Sequence, residues 1–196
     1  MCRQSHEAGP DGSLAFWRQV PAGCEGAFSL VGLPKLKSCS VTFYNWEAAW
    51  QIAEVPLRQD SFRCQRDSLQ ELTLCGVGPN LLLSGLSWFC SGLPALCSLA
   101  VRKSGLQHLD WLTSQVVSSD VGPVHSLDVD DNQLLQLSGA STAALVSMTA
   151  LRKLSMRKPC GADASAADGR KAVWSAESFR CIAQLAAARP SLQLCL

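Results

Sequence analysis

Cys97, His125 and Asp128 are the residues whose types could support nucleophilic chemistry: a thiol to attack, an imidazole to take its proton, a carboxylate to orient the imidazole. His125 and Asp128 lie three residues apart, and Cys97 stands 28 residues before His125. No Gly-x-Ser-x-Gly elbow or glycine-rich phosphate loop accompanies them, so the sequence predicts a protein that is not an enzyme. Asp128, Asp130, Asp131 and Asn132 gather the oxygen ligands a calcium ion prefers. An EF-hand loop needs Gly at its sixth position and Glu at its twelfth; counted from Asp128, those places hold Gln133 and Gly139. The ten cysteines are scattered with no Cys-x-x-Cys pair, the close spacing on which tetrahedral zinc sites usually draw. They read as small buried hydrophobes with free thiols, and no metal and no cofactor is expected.

Composition narrows the class. The 196 residues are 47% hydrophobic and 17% charged, with a net charge of +1. That is too apolar for a disordered chain, and it exerts no bulk pull on nucleic acid or an anionic membrane. The longest apolar run, Leu81 to Leu99, is broken by Ser84, Gly85, Ser87, Ser91, Gly92 and Pro94, so no membrane insertion is expected. Met1 to Gly12 is polar and lacks the apolar core of a signal peptide, which points to a reducing, cytoplasmic location.

One phrase recurs: an apolar residue, two spacers, an apolar residue, one spacer, an apolar residue. It reads Leu36, Cys39, Val41; Leu69, Leu72, Leu74; Leu96, Leu99, Val101; Val124, Leu127, Val129; and Leu151, Leu154, Met156, with a cut-off sixth copy at Leu192 and Cys195. Successive first positions are 33, 27, 28, 27 and 41 residues apart. The last two apolar positions, two apart, point to one face of a short strand, and the spacers point to the other. A unit this small cannot bury its own face, so neighbours must stack and share a core. In this register Cys97 lies one unit before His125.

The phrase resembles the leucine-rich repeat, L-x-x-L-x-L-x-x-N/C-x-L, over about residues 30–196 and most strongly over 69–156. Leu96 to Leu106 reads LCSLAVRKSGL, with Ser104 at the N/C position. Val124 to Leu134 reads VHSLDVDDNQL, with Asn132 there. The resemblance implies that these two side chains form a ladder, hydrogen-bonding the backbone where the chain leaves the strand. Tyr44, Val77 and Pro159 hold that place in other copies, so the ladder is incomplete. A period near 28 resembles the longer, ribonuclease-inhibitor-like subtype. The expected fold is therefore an α/β leucine-rich repeat solenoid, with a curved parallel sheet on the concave face and helices or loops on the convex face. Residues 1–30 read as a degraded N-terminal repeat or tail, with Leu14 and Phe16 ending an early strand. Residues 31–196 read as the leucine-rich repeat domain, with loop insertions near 56–61 and 159–169.

The returns between strands carry helix signals. Asn45 and Asn80 could each cap a helix, the first with Trp46, Ala49, Trp50 and Ala53 on one face, the second with Leu82, Leu86 and Phe89. Ser141 precedes Ala144, Leu145 and Met148. Ser175 precedes Phe179, Ile182, Ala183 and Ala186, and Pro190 closes that segment. After Leu106 the apolar residues step by three, through Leu109 to Leu112. The six tryptophans fall mostly in returns, where packing against the sheet competes with a role as interface anchors.

The surface that could do work is the concave strand face. Arg102–Lys103, Asp130–Asp131 and Arg157–Lys158 hold equivalent positions in successive copies, so opposite charges face each other on strands about 4.8 Å apart. Such a stripe can be an inter-repeat ion-pair ladder or a recognition surface. The expected protein-binding residues are Arg102, Lys103, His125, Asp128, Asp130, Asp131, Arg152 and Arg157, and copy five also offers Lys153 and Lys158. The expected function is a non-catalytic protein–protein interaction or scaffold module, its partner a protein of unknown identity and not nucleic acid. Two alternatives stay open. One is a structural subunit of a larger multiprotein complex, since the chain ends at Leu196 inside a phrase. The other is the substrate-recognition part of a ubiquitin ligase, because the repeat subtype resembles the F-box-linked one, although no F-box-like segment lies upstream.

Overall fold

The computed structural model describes residues 4–8, 14–20, 36–43, 65–76, 92–112, 124–159 and 173–196. The expected helices after Asn45 and Asn80, the expected insertion near 56–61, all but Pro159 of the one near 159–169, and Trp46, Trp50 and Trp88 lie outside these residues. The architecture is α/β. Eight strands form one sheet in sequence order: β1 (Gln4–Ala8), β2 (Leu14–Val20), β3 (Ser38–Phe43), β4 (Glu71–Cys75), β5 (Ser98–Arg102), β6 (Ser126–Asp128), β7 (Lys153–Ser155) and β8 (Gln193–Cys195). β1 runs antiparallel to β2, and six successive parallel pairings join β2 through β8.

The strand register follows the sequence phrase. Cys39, Leu72, Leu99, Leu127 and Leu154 stand opposite one another in turn, and all fifteen apolar positions of the five full phrases are at most 1% exposed. Burial of a leucine side chain contributes about 2 kcal/mol, so these columns supply much of the core. Their burial alternates with open spacers: in β4, Leu72 and Leu74 are buried while Glu71, Thr73 and Cys75 face outward. Strand entry is uniform as well. Lys37 O, Gln70 O, Cys97 O and His125 O each accept from two successive backbone N–H groups of the next strand, at 2.7–3.1 Å.

Two corrections to the sequence reading concern this pattern. In the last copy Leu194, not Cys195, pairs with Leu154, one residue out of the expected phase. In the N-terminal part, Leu14–Val20 forms a full strand with Phe16 opposite Cys39, and Leu14 and Phe16 begin it rather than end it.

Helix α1 (Gly139–Ser147) and helix α2 (Ala176–Ala188) pack on the leucine side through Ala144, Leu145, Cys181, Ile182 and Leu185. Both start at serine caps. Ser138 Oγ accepts from Ser141 N and Ser175 Oγ accepts from Ser178 N, each at 3.1 Å, which satisfies one orphan N–H at each helix start. α2 is rotated from the expected stripe: Ser178, Cys181, Ile182 and Leu185 are buried, while Phe179, Ala183 and Ala186 are exposed. Ser178 takes the inner place because its hydroxyl accepts from Leu137 N at 2.9 Å and donates to Gln136 Oε1 at 2.7 Å. The three-residue step after Leu106 ends in a short 3-10 turn, Asp110–Leu112, the helix whose period is three. Trp111 there is buried.

Candidate functional site

The face opposite the leucines is lined by alternate strand residues. One row runs Ser38, Glu71, Ser98, Ser126, Lys153 and Gln193, and the next runs Ser40, Thr73, Ala100, Asp128, Ser155 and Cys195. Both described helices lie on the other side with the leucines. Where the chain leaves the strands, Gly76, Lys103 and Asp131 hold equivalent positions at φ values of 72°, 49° and 60°. That is the left-handed conformation a glycine adopts freely and other residues rarely do.

Asn132 and Ser104 both hydrogen-bond backbone groups where the chain leaves the strands. Asn132, 1% exposed, accepts from Ser104 N at 2.9 Å and Leu106 N at 3.1 Å through Oδ1. Its Nδ2 donates to Val101 O and Val129 O, both at 2.8 Å. A side-chain amide carries two donors and one oxygen acceptor, and here one amide ties the turn after β5 to the turn after β6. Ser104 Oγ donates to Arg102 O at 2.7 Å.

Four expected contact residues form one internal network. Arg102 donates to Asp128 Oδ2, by Nε at 3.0 Å and by its terminal nitrogen. Asp128 Oδ1 accepts from Asp130 N at 3.0 Å. Asp130, only 4% exposed, accepts from Ser155 Oγ at 2.7 Å and from Arg157 N and Nε, both at 2.8 Å. Arg157 adds an ion pair at 2.7 Å. Burial works against charge on Asp130, but the hydrogen bonds from Ser155 and Arg157 outweigh it and hold its carboxyl below the ordinary range. The hydrogen bond to Asp128 likewise raises Arg102. Asp130 is thus an anchor between β6 and β7, not an exposed contact.

The remaining expected residues lie at the edges. His125 and Arg152 immediately precede β6 and β7, side by side and exposed, and Lys153 on β7 stands opposite Ser126. Lys103 is exposed and Asp131 half-buried in the turns at the other ends of the strands. Cys97 and His125 do hold equivalent positions, but both oxygens of Asp128 are directed to Arg102 and to Asp130 N rather than to His125. Cys97 Sγ donates to Ala95 O at 3.4 Å. Among the described residues no three His, Cys, Asp or Glu side chains converge as a metal site would require.

Two cations act internally in ways the sequence did not signal. Lys158 is half-buried, its ammonium donating to Gln133 O at 2.8 Å and to Leu135 O, and it sits 4.2 Å from the Trp174 ring centroid. Burial pushes its pKa down to about 8. Arg189 donates to Met148 O at 2.8 Å, Leu151 O at 2.7 Å and Val146 O at 3.1 Å, with longer contacts to Leu145 O and Thr149 O. It closes the C-terminal end of α1, where carbonyls lack helical partners and the dipole favours a cation. The stripe pattern offers Lys158 as an exposed charge beside Arg157, and the fold instead turns it onto carbonyls and Trp174; Arg189, held by carbonyls alone, has no complementary residue that a sequence pattern could mark.

Cys39 is buried, and burial pushes its thiol up to about 12, while Cys75 is raised by the same cause. Cys39, Cys75, Cys97, Cys181 and Cys195 are free. No described helix is long and apolar enough to cross a membrane. No family model, curated protein or solved structure matches the chain.

Proposed function

We propose that this chain is a leucine-rich repeat solenoid of the helix-backed kind and serves as a non-catalytic module that binds a protein partner through the open face of its sheet. The observation that carries this reading is the set of small, polar spacers on two adjacent rows opposite the packed leucines, Ser38, Ser98 and Ser126 in the row that also holds Glu71, and Ser40 and Thr73 in the row that continues to Ala100. Small side chains on neighbouring strands let a partner approach the sheet closely, and charged groups at the edges can set its orientation. The Asn132 ladder, the shared strand-entry geometry and the repeated left-handed turn support the repeat reading. The five cysteines among the described residues are free thiols, in accord with a reducing, cytoplasmic setting.

The experiment has two steps. Affinity capture with the full chain identifies a partner, and the purified partner is then titrated against the wild type and against a Thr73→Trp/Ser98→Trp variant. The bulky neutral pair obstructs the open face without altering charge. Loss of binding by the blocked variant, with its folding intact by circular dichroism, supports the reading; undiminished affinity refutes it.

A second reading, a subunit held within a larger assembly, draws on different residues. Val173, Phe179 and Leu196 are 61%, 55% and 53% exposed, and Phe179 lies on α2, away from the open face. Under that reading Phe179→Ser weakens association and the face-blocking pair does not.

A further inference from the structure

Apart from Glu71 on β4, two groups of ionisable residues stand on or beside the open face. Arg102, Asp128, Asp130 and Arg157 neutralise one another through the bonds described above. They present no net charge to a visitor. The second group lies at the N-terminal ends of β6 and β7. His125 O accepts from both Arg152 N and Lys153 N, so these residues sit at one strand junction. All three are exposed. Among the described residues, none has a salt-bridge partner; Arg152 only approaches Thr149 O at 3.5 Å.

Such an arrangement runs against stability. Like charges on neighbouring positions of a sheet repel, and a charge elsewhere in the row relieves them only if it lies within screening distance. The one acid in that row is Glu71, on β4, three strands from Lys153. Three strand spacings are about 14 Å, beyond the Debye length of about 8 Å at physiological salt. The groups between them, Ser98 and Ser126, and Gln193 beyond, carry no charge but can donate hydrogen bonds. The strip therefore offers two permanent cations, an imidazole and three neutral donors to a ligand rich in oxygen anions.

We propose that this strip docks an acidic segment of a protein partner, its Asp and Glu carboxylates seated on Arg152 and Lys153 and hydrogen-bonded by Ser126 and Gln193. The proposal rests on the open-face reading and adds to it the chemistry of the partner. An acidic polypeptide fits better than nucleic acid because the chain carries a net charge of only +1, and the cations form a short strip rather than the extended basic surface that phosphate backbones recruit.

The test uses the full chain and fluorescein-labelled peptides of alternating Glu–Ser or Lys–Ser, read by fluorescence anisotropy. The acidic peptide binds, the basic one does not, and added salt weakens the binding. Arg152→Glu/Lys153→Glu weakens it by about tenfold or more, because each cation is not only lost but replaced by a repelling charge. Lys103→Glu, at the opposite strand ends, leaves it unchanged. The double variant keeps two like charges at these positions and loses only the 3.5 Å contact from Arg152 to Thr149 O, so its circular dichroism matches that of the wild type. Failure of the acidic peptide to bind, equal binding of both peptides, or full affinity in the double variant overturns the proposal. So does single-stranded DNA that binds as tightly as the acidic peptide and competes with it, which reassigns the strip to polyanions in general. If the acidic peptide fails while the Thr73→Trp/Ser98→Trp variant still loses the purified partner, the open-face reading stands and this inference alone falls.

Discussion

Replacing Asn132 with alanine probes the junction on which the stacking of β5 and β6 depends. The change leaves four buried backbone groups without their present partner: Ser104 N, Leu106 N, Val101 O and Val129 O. An unmet buried hydrogen bond costs on the order of 1 kcal/mol or more. With Asn132 only 1% exposed, water reaches the vacated site poorly, and the summed loss comes to about 3–4 kcal/mol. For a chain of this size that lowers the melting temperature by roughly 8–12 °C. Urea titration followed by circular dichroism gives the free energy, and scanning fluorimetry gives the temperature. Asn132→Asp separates shape from chemistry. Its carboxylate still accepts from the two N–H groups, but its other oxygen faces two carbonyls and repels them. It destabilises as much as alanine near neutral pH and recovers part of the loss on acidification, when a protonated acid donates one bond. A loss below about 1 kcal/mol for Asn132→Ala refutes the argument, because it means the turns hold without the amide.

Three other perturbations follow from the same geometry. Arg189→Met keeps the stem but removes the donors to the carbonyls at the end of α1; it costs about 2 kcal/mol, seen as a lower urea midpoint, whereas an unchanged midpoint shows that water serves those carbonyls equally well. Asp130→Asn removes the charge that pairs with Arg157. Because the folded carboxyl titrates below its ordinary range, its stabilisation is complete above the unfolded value of about 3.9 and is lost as pH falls through the folded one, so the wild type loses more stability than the variant on going from pH 5 to about pH 3. Lys158 has the same sign for a different reason, because burial disfavours its charged form. Its pKa of about 8 lies below the unfolded value of 10.5, so its contribution to stability rises as pH climbs above about 8. The melting difference between the wild type and Lys158→Met tracks that rise; the comparison is kept below pH 9, beyond which Cys39, raised from 9.0 to about 12, begins to act in the reverse direction.

The sheet was legible in the sequence wherever period-two apolar alternation and regular spacing coincide. The phrases beginning at Leu36, Leu69, Leu96, Val124 and Leu151 pair in the expected register, because a slip of one residue would turn every leucine out of the core. In the last copy that constraint is weaker. Leu194 and Cys195 are both only half-buried, so little burial is at stake in which of them meets Leu154, and Leu194 does. The stripe on α2 was misread because alanine counts as apolar in a pattern yet gains little from burial, while Ser178 gains two hydrogen bonds by going inward.

The charged stripe was legible as a register but not as a set of bonds. The sequence aligns Asp130 with both Arg102 and Arg157, and only the fold shows that Asp130 takes Arg157 together with Ser155, leaving Arg102 to Asp128. An exposed contact and a buried anchor carry the same letter in the sequence; what separates them is a partner 27 residues away. The proposed docking strip emerges by subtraction, once the charges that satisfy one another are set aside.

The proposed role of the open face is tested most directly by photo-crosslinking to the purified partner. A benzophenone amino acid is placed either at Ser126, on the open face, or at Gln184, on the exposed side of α2. The account predicts a crosslinked product from position 126 and none from position 184. Crosslinking from position 184 alone contradicts it, and shows that the partner binds the helical side.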